Sequence, residues 1–314
     1  MANYGKPSIT TQYVRQDGRT AVVTGTGGLG FEVAAKLADL GARVIIAGRN
    51  VQKGHEAVAG IAAAVPGADL RFEVLDLAAL ASVKDFTGRM IAQGGSIDLL
   101  VNNAGIMSPP QRRVSADGFE AQFATNHLGH FALTARLLPL LQKSGSARVV
   151  SVTSIAHRYG RMDFDDLQSE RKYQPGVVYC RSKLAVALFA RTLHQRARAQ
   201  GWALASMAAH PGFAGTNLFA AEGGPKSFMT LLSTRLLVPL LGHSAAAGAD
   251  PILHASLSPH AGSGRLYGPT GFLEMKGATG ECPFGAGALD DEAGERLWQL
   301  SEELAGVSFG AYLS

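Results

Sequence analysis

The chain has 314 residues, 46% of them apolar and 17% charged, which allows a sizeable buried core and argues against disorder. Its net charge of +4 is scattered rather than gathered in a basic stripe with aromatics, so nucleic-acid binding is not expected. Cys180 and Cys282 stand outside any C-x-x-C spacing, which excludes a disulfide framework, and no metal is expected.

Residues 1–17 read as a loosely attached polar arm, without the apolar run of a signal peptide, and 18–314 as one domain. The first β-rich run, Ala21–Thr24, leads directly into Thr24-Gly25-Thr26-Gly27-Gly28-Leu29-Gly30, and a helix follows with Val33, Leu37 and Leu40 on one face and Gly41 as its stop. Gly25, Gly27 and Gly30 match G-x-G-x-x-G in the context that gives it meaning, between strand and helix. Glycine permits positive φ and lets backbone approach a pyrophosphate, whose charge the first N–H groups of the helix then receive. A glycine-rich turn without a ligand would not require this order of strand, glycines and helix. Gly28 and Leu29 belong to the same loop.

The second strand, Arg43–Ala47, ends at Gly48-Arg49-Asn50. Dinucleotide folds often place an acid here for the ribose 2′-hydroxyl. Arg49 stands in its place, and a guanidinium suits a 2′-phosphate, which favours NADP(H) and NADPH over NADH. The weaker reading makes Arg49 a solvated loop residue.

Further strands are expected at Leu70–Leu75, Ile97–Val101, Arg148–Val152, Ala203–Ala208 and Arg265–Tyr267, with helical runs between most of them. This alternation predicts an α/β fold of the Rossmann type, a doubly wound parallel sheet whose ligands bind beyond the carboxyl ends of the strands. Asn102-Asn103-Ala104-Gly105, Ser154 and Pro211-Gly212 follow three of those strands and so converge on one edge. Residues 213–245 break the alternation and read as a helical insertion. Its apolar side chains, among them Phe213, Leu218 and Phe219, suit a lid over a bulky apolar substrate or, equally, packing and subunit contact. A Gly/Pro-rich loop and an amphipathic helix near Asp290–Leu304 close the chain. No run of about 18 apolar residues occurs, so no transmembrane segment is expected and the location is expected to be cytoplasmic.

Tyr179-Cys180-Arg181-Ser182-Lys183 puts a phenol and an ammonium on one helix face, one turn apart. A neighbouring ammonium favours the phenolate, so such a tyrosine can exchange a proton with a carbonyl or alcohol oxygen. The pair alone occurs often by chance; its company at the sheet edge gives it weight.

Taken together, the glycine loop, the Asn-Asn-Ala-Gly turn, Ser154, the Tyr179/Lys183 pair and Pro211-Gly212 resemble the short-chain dehydrogenase/reductase family over roughly Arg19 to Phe219. Asp117-Gly118-Phe119-Glu120, Thr125–Phe131 and Phe164-Asp165-Asp166-Leu167 are most similar to its retinol dehydrogenase and WW-domain oxidoreductase branch. The resemblance implies that Ser154 holds the substrate oxygen, Tyr179 is the acid/base, Lys183 binds the nicotinamide ribose and depresses the Tyr179 pKa, and Asn126 holds a proton-relaying water. It implies that Asp76, with Leu77 beside it, contacts the adenine, that Asn103, Ala104 and Gly105 line the adenosine side, that Pro211 and Gly212 bind the cofactor, and that Thr216 contacts the carboxamide. The family's loop reads T-G-x-x-x-G-x-G; this one is a residue shorter.

His127 and His130, three apart on a helix, are expected in the core rather than on a metal, and without a G-x-S-x-G elbow Ser154 is not a hydrolase nucleophile. The sequence therefore predicts an NADP(H)-dependent oxidoreductase for a bulky apolar ketone, aldehyde or alcohol. A non-catalytic NADP(H)-binding sensor or scaffold and a C=C reductase on the same fold are the alternatives. Phe119–Leu138 and Tyr179–Arg198 are apolar over wide arcs, and the resemblance, to a family in which these helices often pair between subunits, implies a homodimer or homotetramer.

Overall fold

Alternating strands and helices resolve, in a computed structural model, into one eight-stranded sheet of order β3-β2-β1-β4-β5-β6-β7-β8. The structure describes residues 13–212 and 244–312. The strands are β1 (Thr20–Thr24), β2 (Arg43–Gly48), β3 (Leu70–Val74), β4 (Leu99–Asn102), β5 (Ala147–Val152), β6 (Leu204–Ala209), β7 (Leu266–Pro269) and β8 (Thr279–Cys282). All pair in parallel except β8, which returns antiparallel along β7. β8 is the strand that sequence reasoning missed. Its four residues, Thr-Gly-Glu-Cys, show no apolar alternation, and only the hairpin with β7 makes them a strand.

The strand order reverses between β1 and β4, so the loops after these two strands open a crevice where such sheets bind ligands. α1 (Leu29–Asp39), α2 (Val51–Ala64) and α7 (Ala245–Leu257) cover one face through Val33, Leu37, Ile61 and Ile252. α3 (Leu80–Gln93), α5 (Gly129–Lys143), α6 (Pro175–Ala199) and α8 (Asp291–Ala305) cover the other through Phe86, Phe131, Leu188 and Trp298. Buried on both faces, β1 and β4 carry near-continuous apolar side chains, as parallel strands do.

The helix expected over 119–138 is interrupted. A short α4 (Ala121–Phe123) passes into a π-helical turn, Ala124–Leu128, before α5 begins. Gly129 is needed at that junction: a Cβ there would stand 2.2 Å from the Leu77 carbonyl oxygen.

The apolar arcs that suggested self-assembly are covered from within the chain. Trp298 on α8 meets Phe131 at 5.0 Å between ring centroids, and Phe309 lies 4.4 Å from Trp298. Arg196 on α6 sits 4.6 Å over the Trp298 ring and ion-pairs with Glu295. Truncating a buried aromatic such as Trp298 costs about 3–5 kcal/mol, so this cover is part of the core. The end of the N-terminal arm is also held: Gln16 is buried and its N–H donates to the Leu40 carbonyl at 2.7 Å. Of the predicted 213–245 insertion, all but residues 244 and 245 lies outside the described residues.

Candidate active site

Each glycine after β1 has its own reason. Gly25 has φ +99, and a Cβ on it would stand 2.8 Å from Asn103 Nδ2. A Cβ on Gly30 would stand 2.5 Å from the Gly25 carbonyl oxygen, so α1 packs directly on the loop. Gly28, φ 53, is the N-cap of α1 and offers no side-chain acceptor, while a Cβ on Gly27 would meet nothing within 4 Å. An uncapped helix start facing open space is a binding place for an anion, and it fits the pyrophosphate of a nicotinamide dinucleotide despite the shortened loop. Leu29 is the first residue of α1.

Thr24 ties this loop to the next one. Its hydroxyl oxygen accepts from the Asn103 and Ala104 N–H groups, both at 2.9 Å, and Asn103 Nδ2 donates to the Thr24 carbonyl at 2.7 Å. Arg49 is exposed at the end of β2 and has no ion-pair partner among the described residues. Asn50 is committed to capping α2, its Oδ1 accepting from Lys53 N–H at 2.9 Å. Asp76 accepts from the Ala78 N–H at 2.9 Å, and Leu77 is buried against Gly129.

Ser154, Tyr179, Lys183 and Asn126 come together. The Ser154 hydroxyl lies beside the Tyr179 phenol and favours its ionised form. Lys183 Nζ lies 6.0 Å from the centre of the Tyr179 ring and donates to the Val152 carbonyl at 2.9 Å. Asn126 sits in the π-helical turn, a distortion that recurs at functional sites. Its Oδ1 accepts from Ile106 N–H at 2.8 Å, and its Nδ2 donates to the Ile106 carbonyl at 3.0 Å and to Ser182 Oγ at 2.9 Å. A Cβ on Gly105 would stand 3.0 Å from Asn126 Oδ1 and 3.6 Å from Lys183 Nζ, so a side chain there would intrude between them. Pro211 and Gly212 follow β6 at the same edge; Thr216, Phe213, Leu218 and Phe219 lie outside the described residues.

A family profile for short chain dehydrogenases matches residues 19–225. The chain belongs to the short-chain dehydrogenase family. Human retinol dehydrogenase 12 is 39% identical over 295 residues, covering 94% of this chain and 88% of its own length. Mouse polyprenol dehydrogenase is 39% identical over 300 residues, covering 94% and 86%. The crystal structure of an uncharacterised protein from Mycobacterium paratuberculosis is 35% identical, with a TM-score of 0.78 and 95% and 97% of the two chains covered. This short-chain dehydrogenase thus falls on the retinol dehydrogenase branch and is an oxidoreductase, of a family that uses a nicotinamide cofactor and small-molecule substrates. Among its described residues no helix is long and apolar enough to cross a membrane.

One electrostatic expectation is reversed in this short-chain dehydrogenase. Burial pushes the Tyr179 phenol up to about 12, and the Ser154 hydrogen bond offsets this only in part. The same burial lowers the Lys183 ammonium to about 8. Desolvation is the leading cause for both groups, and the phenol holds its proton at neutral pH.

Several residues of the site were not singled out in the sequence for their part in it. His130 Nε2 lies 2.9 Å from Thr24 Oγ1, and its Nδ1 lies 3.1 Å from the Asn126 carbonyl oxygen. The imidazole therefore bridges the glycine loop and the π-helical turn. His127 is buried against Ser301, Nε2 to Oγ 2.8 Å. His157 Nδ1 donates to the Ser154 carbonyl at 2.6 Å, and its Nε2 accepts from Gly285 N–H at 3.0 Å. Its neighbour Arg158, with Glu274, His210 and Cys282, forms a further cluster beside Ser154 and Gly212.

Proposed function

We propose that this protein is an NADPH-dependent carbonyl reductase, working in reverse as an alcohol dehydrogenase, for a fairly bulky apolar substrate. The observation that carries this reading is the Tyr179 phenol with Ser154 beside it and Lys183 Nζ 6.0 Å from the centre of its ring, one helical turn away, at the edge where the glycine loop opens. The dinucleotide, when bound, supplies or takes a hydride at its nicotinamide ring. The chain's own residues do the rest. Ser154 holds the reacting oxygen by hydrogen bond. Tyr179, protonated at neutral pH, gives its proton to that oxygen, which suits carbonyl reduction. Lys183 binds the nicotinamide ribose through N–H donors not used on Val152, and the Asn126 turn holds the water through which the proton is replaced.

Gly25, Gly27, Gly28, Leu29 and Gly30 form the pyrophosphate cradle, and Arg49 faces the 2′-phosphate; an exposed cation with no acid beside it in sequence supports NADP over NAD. Asp76 and Asn103 to Gly105 line the adenosine, and Pro211, Gly212 and Thr216 the carboxamide. The relatives named for retinol and polyprenol, both apolar alcohols, support an apolar substrate. A cytoplasmic location belongs to the same reading, and 18–314 is taken as one domain. A homodimer or homotetramer would have to use a surface other than the arc that α8 covers. Oxidation of NADPH in the presence of a panel of apolar ketones and aldehydes tests the proposal: turnover with alcohol as product supports it. Tight NADPH binding without any turnover would favour the sensor reading, and saturation of a C=C bond the alternative reductase.

A further inference from the structure

Glu274 comes from the turn between β7 and β8, far in sequence from every motif named above, yet its carboxylate sits between two of them. Arg158 Nη2 lies 2.7 and 2.8 Å from its two oxygens and 2.8 Å from the Pro283 carbonyl. His210 Nε2 lies 3.1 Å from Glu274 Oε2, and the Cys282 thiol, which donates to the Pro269 carbonyl at 3.7 Å, lies beside them. On its other side, His210 Nδ1 accepts from the Gly212 N–H at 3.2 Å. A backbone N–H can only donate, so Nδ1 is unprotonated and Nε2 carries the hydrogen aimed at Glu274. Gly212 is left-handed, φ 68, and its N–H is the group that this imidazole pins. His210 itself is walled in: a Cβ on Gly268 would stand 2.1 Å from its Nε2.

Arg158 belongs to the 3-10 turn Ile155–Tyr159 that Ser154 caps. One carboxylate thus joins the segment after Ser154 to the turn after β6. Leu273 and Glu274 reach it in left-handed conformations, φ 50 and 55, which residues other than glycine adopt at a cost and usually at functional places. His210, Glu274 and Cys282 bring ligand atoms within 4.8 Å of one another. The geometry does not favour a cation there, because the carboxylate already accepts from Arg158 and His210, and burial pushes the neighbouring Cys282 thiol up to about 12, so that it stays protonated.

We propose that Glu274 is a positioning residue, which through His210 fixes the Pro211-Gly212 turn and through Arg158 fixes Ser154, so that the nicotinamide and the substrate oxygen are held at a set distance. The inference rests on the carbonyl-reductase reading for its catalytic consequence, but not for its structural one. A Glu274→Gln side chain keeps the size and presents an NH2 group to a ring of donors, so the turn loses its anchor.

The test pairs kinetics with NMR of labelled histidine in the whole protein. In wild type the His210 ring should show an unprotonated Nδ1, and in Glu274→Gln that tautomer and the slow exchange of the Gly212 amide should be lost. A single-turnover rate of NADPH oxidation should fall about 10- to 100-fold, as for a misplacement on the order of 1 Å, while affinity for adenosine 2′,5′-bisphosphate, which probes only the far end of the cofactor site, stays within about twofold. A protonated Nδ1 in wild type would overturn the proposal without any variant. So would a rate in Glu274→Gln within about threefold of wild type, or a parallel loss of adenosine-end affinity, which would mean general collapse. If wild type turns over no carbonyl at all, the function reading fails, and the histidine and amide measurements still decide the role of Glu274.

Discussion

Removing the Arg49 guanidinium tests cofactor choice at one side chain. Arg49 is exposed and carries no ion pair among the described residues, so Arg49→Ala breaks no salt bridge there and its main effect should fall on what it binds. A charge-assisted hydrogen bond to a phosphate is worth about 1.5–3 kcal/mol, which corresponds to roughly a 10- to 100-fold rise in the NADPH dissociation constant. Solvent screening at an exposed site puts the expectation toward the lower end, and raising the salt concentration should shrink it further. NADH affinity should not change. Gly48→Asp would add repulsion of the phosphate and an acceptor for the ribose, but a Cβ at Gly48 would stand 2.7 Å from Thr26 Cγ2. Thr26 must therefore move, and this variant should lose some affinity for both cofactors while its preference turns to NADH. Fluorescence titration of wild type and both variants with each cofactor measures all of this. Equal wild-type affinity for NADH and NADPH, or equal losses in Arg49→Ala, would refute the assignment.

Ser154→Ala should cut turnover strongly and leave NADPH affinity nearly intact; parallel losses in the two would make Ser154 structural. With the Lys183 ammonium lowered to about 8, kcat/KM for carbonyl reduction should hold through neutral pH and fall above about 8 as Lys183 deprotonates, and a flat profile to pH 10 would contradict its role. Burial lowers His127 to about 3 and His130 and His157 to about 4, below the ordinary 6.5, so between these values only the unfolded chain binds the protons. Stability is then full above about pH 6.5 and falls as the pH drops, by about 1.4 kcal/mol per pH unit for each group and about 4 for the three together. Urea titrations at pH 7 and pH 5 check this, and an unchanged unfolding free energy would refute it.

What the sequence disclosed was what is local or periodic. The glycine loop was legible because strand, turn and helix start are contiguous, and the Tyr179/Lys183 face because four residues make about one helical turn. The seven parallel strands followed from apolar runs, while β8 did not, since a four-residue partner of an edge strand owes its existence to the hairpin. Asn126 was reached through family resemblance; the π-helical turn that presents it leaves no periodic mark. Glu274 was hidden for another reason. It meets His210 across 64 residues and Arg158 across 116, and nothing about a glutamate in a short turn announces a half-buried carboxylate with two partners. The apolar arcs of α5 and α6 are visible in the sequence, but that Trp298 and Phe309 of the same chain pack on them is not, since those residues are distant in sequence. The Tyr179 phenol is raised rather than lowered, because spacing reveals a neighbouring charge and not the burial around the ring.

The central claim, that Tyr179 moves the proton in a hydride-transfer reaction, is tested most directly by Tyr179→Phe. The substitution deletes one hydroxyl and keeps the ring that lies 6.0 Å from Lys183 Nζ, so NADPH titration should give an affinity close to wild type. Single-turnover oxidation of bound NADPH by an apolar ketone should be almost abolished. Retention of more than about a tenth of the wild-type rate, a barrier change below about 1.4 kcal/mol, would contradict the account.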